Sequence, residues 1–132
     1  MQYFSFDGID RMKRVKVSTK NLLNYRYNNS TLLSSAKTTI DDNDDFENSY
    51  SYNTFNELVE IAQVGINPTT LISATKNVSY EYNQEIQRTK ASRFENLISV
   101  FDTNYVYDEI GRLNQIEHKN LSETFANYSM IY

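Results

Sequence analysis

The residues of this chain that could do acid–base or metal chemistry are few and scattered. His118 is the single histidine, and the 132 residues include no cysteine. One histidine without cysteine excludes the common zinc arrangements, and no Gly-x-Ser-x-Gly segment offers a serine nucleophile. We therefore interpret His118, which lies between Glu117 and Lys119, as a surface residue at a strand end. We predict no catalytic residue, no cofactor and no metal site.

The densest group of carboxylates lies in Asp41–Glu47. Counted from Asp41 as a calcium-binding loop, this segment has oxygen ligands at the first, third and fifth places. Phe46, however, stands where such a loop requires glycine, and Tyr52 stands where it requires a bidentate glutamate. We predict a solvated connector here in preference to an ion site.

The strongest pattern in the chain is carried by aromatic residues. An aromatic, any residue, a second aromatic and then Asp or Asn occur five times, starting at residues 4, 25, 50, 80 and 105. Intervals of about 20 to 50 residues indicate a repeat architecture. The members are Phe4, Phe6 and Asp7; Tyr25, Tyr27 and Asn28; Tyr50, Tyr52 and Asn53; Tyr80, Tyr82 and Asn83; and Tyr105, Tyr107 and Asp108.

Each copy of this phrase predicts a β-hairpin. Two aromatics one residue apart project from the same side of a strand, and the following Asp or Asn starts a turn in which Gly8 or Gly111 can supply positive φ. The chain then returns as a second strand, over residues 12–18, 32–38, 58–63 and 112–118. Because a lone hairpin is marginal in water, we expect the copies to stack. The predicted fold is all-β: consecutive antiparallel hairpins in one twisted sheet, forming a single domain over residues 1–132.

Two segments also fit a helix. Thr54–Glu57 and Ser92–Glu95 both match the capping box, and apolar residues recur at helical spacing from Phe94 to Phe101. The repeat register favours strand at residues 50–61. Strand is also favoured over residues 92–101, with helix kept as the alternative. Val64–Thr69, which contains the only proline, predicts a turn between hairpins.

Charge and hydropathy narrow the class of protein. The net charge of −4 offers no basic footprint for nucleic acid, and the basic residues of 11–16 are assigned to an exposed strand face. The first residues lack the basic and apolar regions of a signal peptide. No segment is apolar enough to be predicted as a membrane span.

The copy at Tyr105–Leu113 resembles the signature of the RHS/YD-repeat family, Tyr-x-Tyr-Asp-x-x-Gly-Arg-Leu followed shortly by Ile or Val. Gly111, Arg112 and Leu113 therefore join the predicted structural residues. The second and third copies have Leu32 and Glu57 in place of the arginine, and the fourth departs from the signature after its turn. The resemblance covers residues 3–118.

That family, as the resemblance implies, builds strips of β-hairpins that curl into a hollow shell. The shell encloses a toxic segment in bacterial toxins and forms part of an adhesive ectodomain in teneurins. By resemblance we expect a non-enzymatic shell segment, a fragment of a longer secreted or cell-surface protein that encapsulates or presents a toxin or effector. Its expected partners are repeats of the same or a neighbouring chain, a protein cargo or receptor, and further copies joined through sheet edges.

The alternative is a stand-alone module whose aromatic sheet face binds carbohydrate or a protein. Buried rings would favour the scaffold, and a solvent-facing row of three or more rings would favour binding.

Overall fold

The computed structural model describes residues 3–66 and 75–132, and all regular structure in these two ranges is β-strand. The eleven strands are β1 (Tyr3–Phe6), β2 (Met12–Lys16), β3 (Leu22–Tyr27), β4 (Leu33–Ile40), β5 (Asn43–Tyr52), β6 (Leu58–Gly65), β7 (Lys76–Tyr82), β8 (Arg88–Glu95), β9 (Ile98–Tyr107), β10 (Leu113–Lys119) and β11 (Thr124–Ser129). Each strand pairs antiparallel with its sequence neighbours, so that the described residues form one open sheet in chain order. The predicted all-β hairpin fold is confirmed.

Each copy of the phrase forms one hairpin with the same irregularity. The first aromatic pairs with the twelfth residue of its copy, as Tyr25 does with Ala36, and the second aromatic pairs with the ninth, as Tyr27 does with Leu33. One extra residue, the tenth of the copy, is bulged out between these pairs. A β-bulge increases the local twist of the strands. The bulged residues are Lys13, Ser34, Val59, Thr89 and Asn114.

Cross-strand pairing places all five aromatic pairs on the same side of the sheet, which we call the aromatic face. Tyr25 pairs with Ala36 and Ala36 with Asn48, and Tyr50 lies two residues beyond Asn48 on the same side. The same step leads from Tyr50 through Ile61 and Val78 to Tyr80. It continues from Tyr80 through Ala91 and Thr103 to Tyr105. Phe4 joins through Val15 and Leu23.

The opposite side, which we call the polar face, carries charged and amide side chains. Lys90 and Asp102 approach to 3.3 Å, and Lys37 pairs with Asp44. Asn104 donates a hydrogen bond to Glu117 at 2.8 Å. Alternation of apolar and polar residues along each strand produces two unlike faces from a single layer.

The core is thin because a single sheet has no second layer to cover it. Among the described residues no large side chain is fully buried, and the buried apolar residues are Ala36 and Ala91, at 8% and 6% exposure. Ser35, Ser92 and Thr103 are buried with them. Cohesion therefore comes from each strand's contact with its neighbours, as in other repeat proteins.

Two expectations about local structure are settled here. The acidic segment is not a solvated connector: Asp41 and Asp42 form a two-residue turn with φ of 49° and 63°, and Asn43–Glu47 belong to β5. Asp tolerates the positive φ that such hairpin turns require.

Residues 92–101 hold the end of β8 and the start of β9, joined by Asn96 and Leu97, so that the helical alternative is excluded. The turn predicted at Val64–Thr69 is wrong at its start, because Val64 and Gly65 belong to β6, and its residues 67–69 lie outside the described part of the chain.

Candidate functional site

The Asp or Asn of each copy organises its turn. The Oδ1 of Asp108 accepts hydrogen bonds from the backbone N–H groups of Ile110 at 3.1 Å and Arg112 at 2.8 Å. The Asp108 N–H donates to the Arg112 carbonyl, and the Gly111 N–H donates to the Asp108 carbonyl. Asp7, Asn53 and Asn83 repeat both side-chain bonds, and Asn28 repeats the bond to the residue four places on.

The seventh residue of every copy adopts positive φ. Gly111 is at 81°, as its type allows, but this place is held by Asp10, Thr31, Asn56 and Ile86 in the other copies, at 59° to 66°. The expectation that Gly8 supplies positive φ is wrong, since Asp10 carries it instead. Left-handed backbone is unusual for β-branched residues such as Ile86 and marks local strain.

In four of the five copies the side chain of the eighth residue bonds to the side chain of the Asp or Asn, and the residue types at the two places change together; the second copy has Leu32, which has no polar side chain, at the eighth place. The guanidinium Nε of Arg112 donates to Oδ2 of Asp108 at 2.7 Å, and Arg11 does the same to Asp7. Where the turn residue is asparagine, the direction reverses. The Nδ2 of Asn83 donates to Oε1 of Gln87 at 2.8 Å.

The third copy follows the reversed arrangement. Asn53 donates to Oε2 of Glu57 at 2.5 Å. Glu57 therefore replaces the arginine of the signature as the hydrogen-bond partner that suits Asn53. The fourth copy, expected to depart from the pattern after its turn, retains the turn, the bulge and the strand.

A row of tyrosine hydroxyls ties each hairpin to the one before it. The second tyrosine of a copy donates to the backbone carbonyl of the ninth residue of the preceding copy, and we call this row the tyrosine ladder. Its five bonds are Tyr27 to Met12 at 2.8 Å, Tyr52 to Leu33 at 2.9 Å, Tyr82 to Leu58 at 2.9 Å, Tyr107 to Arg88 at 2.9 Å and Tyr132 to Leu113 at 2.6 Å.

Arginine side chains lie over two of the ladder rings. The guanidinium of Arg11 lies 4.3 Å from the ring centre of Tyr27, and that of Arg112 lies 4.3 Å from the ring centre of Tyr132. In both cases the arginine that pairs with the turn aspartate also stacks on the next copy's ladder tyrosine. Cation–π contacts of this kind contribute about 0.5–1 kcal/mol each at exposed sites. Turn and ladder are thus joined through one side chain.

The sequence prediction missed the fifth ladder member, which belongs to a sixth copy of the phrase. Tyr132 lies 25 residues after Tyr107, the same interval that separates Tyr82 from Tyr107. Met130 holds the place of the first aromatic, which hid the copy, although its N–H bonds to the Asn114 carbonyl as part of the sheet. The interval was the signal that could have found it.

His118 is not an isolated surface residue. It lies on the aromatic face, stacked at 5.5 Å on Phe101 and at 6.2 Å on Phe125, with Tyr128 edge-on at 6.0 Å. Its Nδ1 is 3.0 Å from Thr103 Oγ1. This group of rings, the histidine cluster, packs the end of the sheet.

The turns of the first and fifth copies each hold an ion pair, between Asp7 and Arg11 and between Asp108 and Arg112. Hydrogen bonds from the Arg112 backbone N–H and its guanidinium lower the pKa of Asp108.

No group of three or more potential metal ligands occurs in residues 3–66 or 75–132. Within those ranges we also find no helix of a length and hydropathy suited to crossing a membrane. The arrangement can hold strands together and present surfaces.

Comparison with known proteins supports the fold. No family model matches the sequence, and no curated protein matches it. The chain is similar to part of a solved structure, the crystal structure of TcdB2-TccC3-Cdc42, with a TM-score of 0.72 at 16% identity. The match covers 95% of this chain and 7% of the other chain. At this identity the likeness shows a shared fold alone.

Proposed function

We propose that this chain is a structural segment of a β-hairpin wall of the RHS/YD kind, part of a shell that encapsulates or presents a toxin or effector. The tyrosine ladder is the observation that carries the proposal. Its hydroxyls donate hydrogen bonds to backbone carbonyls of the preceding hairpin. The rings of Tyr27, Tyr52, Tyr82 and Tyr107 are half-buried. Such rings serve cohesion between repeats and not capture of a ligand.

The two unlike faces of the sheet support a wall. One side is lined by aromatic and aliphatic residues and the other by ion pairs and amides, as suits a layer that separates two environments. The likeness to TcdB2-TccC3-Cdc42 supports the same proposal at the level of fold alone, because the identity is 16%. This chain spans 7% of that chain. By extension from the RHS/YD resemblance, the segment is non-enzymatic and works outside the cell or at its surface.

The test is protection of a cargo. The chain is co-expressed with the polypeptides encoded beside it, and each is assayed for resistance to protease with and without the chain. We expect protection of one neighbour that is lost when Tyr52 and Tyr82 are both changed to alanine. A Tyr105→Phe chain, which keeps its ring, serves as the control. Equal proteolysis with and without the chain would contradict the proposal.

A second candidate function rests on the rings at the end of the sheet. Phe125, Tyr128 and Tyr132 are 52%, 57% and 66% exposed. Three exposed rings at one end suit stacking on a sugar or a protein partner. Binding of soluble oligosaccharides, followed by tyrosine fluorescence, tests this function. A signal abolished by Tyr128→Ala would support it, and no change on any sugar would remove carbohydrate as the ligand.

A further inference from the structure

Basic side chains gather on the polar face where β2, β3 and β4 lie side by side. Cross-strand pairing sets Arg14 opposite Asn24 and Asn24 opposite Lys37. Arg26 lies two residues beyond Asn24 on the same side of β3. Together with Lys13 these residues line a pocket of about 250 Å³, which we call the basic pocket. Because small-molecule sites usually measure ~300–1,000 Å³, this pocket suits a small group.

A β-bulge brings the first lysine to the basic pocket. Lys13 is the bulged tenth residue of its copy. By simple alternation Lys13 and Arg14 would lie on opposite sides of β2, whereas both line the pocket. Bulges commonly re-aim a side chain in this way. The tenth place is uncharged in the other four copies, which have Ser34, Val59, Thr89 and Asn114.

The basic pocket has an excess of positive charge, although the net charge of the chain is −4. Four of its lining side chains are cationic, and the carboxylate among them, Asp44, pairs with Lys37. Glu47 approaches Arg26 only to 3.9 Å, and the Arg26 side chain is 74% exposed. A cleft lined mainly by one sign of charge concentrates ions of the opposite sign.

The donors that remain in the pocket favour an anion with several oxygens. Arg14 Nε donates to Asn24 Oδ1 at 2.9 Å, which occupies the amide oxygen and leaves Asn24 Nδ2 as a donor. Lys13 and Arg14 form no ion pair with the residues that the structure describes. Donors from four side chains match the three free oxygens of a sulfate or phosphate ester better than the two oxygens of a carboxylate.

We propose that the basic pocket binds a sulfate or phosphate group, with Lys13, Arg14 and Arg26 as charged donors and Asn24 as a neutral donor. Lys37 is left out of this set because it already pairs with Asp44. Charge-assisted hydrogen bonds to such a group are about twice as strong as neutral ones. The proposal concerns the polar face alone, so that its failure leaves cargo protection untouched, and the reverse also holds.

NMR titration of the isotope-labelled chain with sodium sulfate and sodium phosphate tests the proposal, with sodium chloride at equal ionic strength as the reference. Sulfate and phosphate should shift the side-chain amide signals of Asn24, and chloride should not. Lys13→Gln combined with Arg26→Gln should weaken binding at least about tenfold. Lys119→Gln combined with Arg93→Gln removes the same charge outside the pocket and should leave binding unchanged. Circular dichroism shows whether each variant retains the sheet.

Two organic esters identify the source of the bound group. Phenyl sulfate and phenyl phosphate carry the two anions on the same ring, and tighter binding of one assigns the pocket to that class of ester. Acetate should bind more weakly than either. The proposal is overturned if sulfate and phosphate shift the signals no more than chloride does, if acetate binds as tightly, or if the two double variants bind equally well.

Discussion

At the scale of single residues, the turns are governed by matching of donors and acceptors. Aspartate offers only acceptors when ionised, so Asp108 and Asp7 pair with arginine, whereas asparagine has an amide donor that suits Glu57 or Gln87. Glu57 and Gln87, which look like departures from the repeat signature, are therefore each one member of a changed pair.

This matching predicts the outcome of exchanging the pair. Asn53→Asp places a carboxylate against Glu57 and should destabilise the chain by about 1 kcal/mol. Adding Glu57→Arg creates the pair found in the first and fifth copies and should restore most of the loss. Urea unfolding of the single and double variants measures the coupling. Simple addition of the two single effects would contradict the matching.

The tyrosine ladder makes a second prediction at this scale. Tyr82→Phe removes the hydroxyl that bonds to the Leu58 carbonyl and should cost about 1 kcal/mol of the free energy of unfolding. Tyr105→Phe is the matched control, because its hydroxyl makes no hydrogen bond in the described part of the chain. Thermal unfolding followed by circular dichroism compares the two. Equal loss in both variants would mean that the ladder bond adds nothing.

At the scale of elements, backbone conformation overrides residue preference at the seventh place of each copy. The hydrogen bonds of the turn require positive φ there, whatever residue the copy supplies. Gly111 and Asn56 suit this conformation, and Ile86 does not. The strain is tolerated because the Asn83 turn bonds and the strands beyond it determine the local path.

Relief of this strain is measurable. Ile86→Asn should stabilise the chain by about 1 kcal/mol, since Ile86 is 66% exposed and little packing is lost. The reciprocal change, Asn56→Ile, should destabilise it by a similar amount. Chemical denaturation of both variants checks the sign and size. A loss of stability in Ile86→Asn would show that the contacts of the isoleucine side chain stabilise the chain by more than its positive φ destabilises it.

At the scale of the whole molecule, the sheet has two kinds of turn, one organised by aspartate and the other by asparagine, and they occur at different places along it. The first and fifth hairpins rely on ionised aspartates, and the third and fourth rely on asparagines. Because repeats contact only their neighbours, the ends of such a strip can loosen without the middle. Acid should therefore act unevenly along the chain.

The sign of the pH effect follows from Asp108. Its pKa in the folded chain is lowered from the ordinary value of 3.8 by the Arg112 hydrogen bonds. Its contribution to stability is thus fully present above pH 3.8 and is lost as the pH falls through the folded value. Amide exchange should show the Ile110 and Arg112 N–H groups losing protection on acidification before those of Glu85 and Gln87. Simultaneous loss in both turns would contradict the prediction.

Much of the fold could be predicted from the residues because its signals are local. Alternating aromatics, a turn residue and a recurring interval determine hairpins wherever they occur, and they correctly favoured strand over residues 92–101. Other features needed the assembled sheet. The tyrosine ladder and the stacking of Arg11 on Tyr27 join residues of different copies. The positive φ of Asp10 depends on the hydrogen bonds of its turn and cannot be predicted from the residue type alone.

The sequence by itself determined the hairpin unit and its repetition, since backbone alternation and turn chemistry act within a dozen residues. Only the tertiary structure decided that the second tyrosine of a copy bonds to the preceding copy, that Tyr132 belongs to this ladder, and that the tenth residue of each copy is bulged out. The physical reason is that register, bulges and strand order are settled by pairing between strands, and so depend on the whole sheet and not on any one segment.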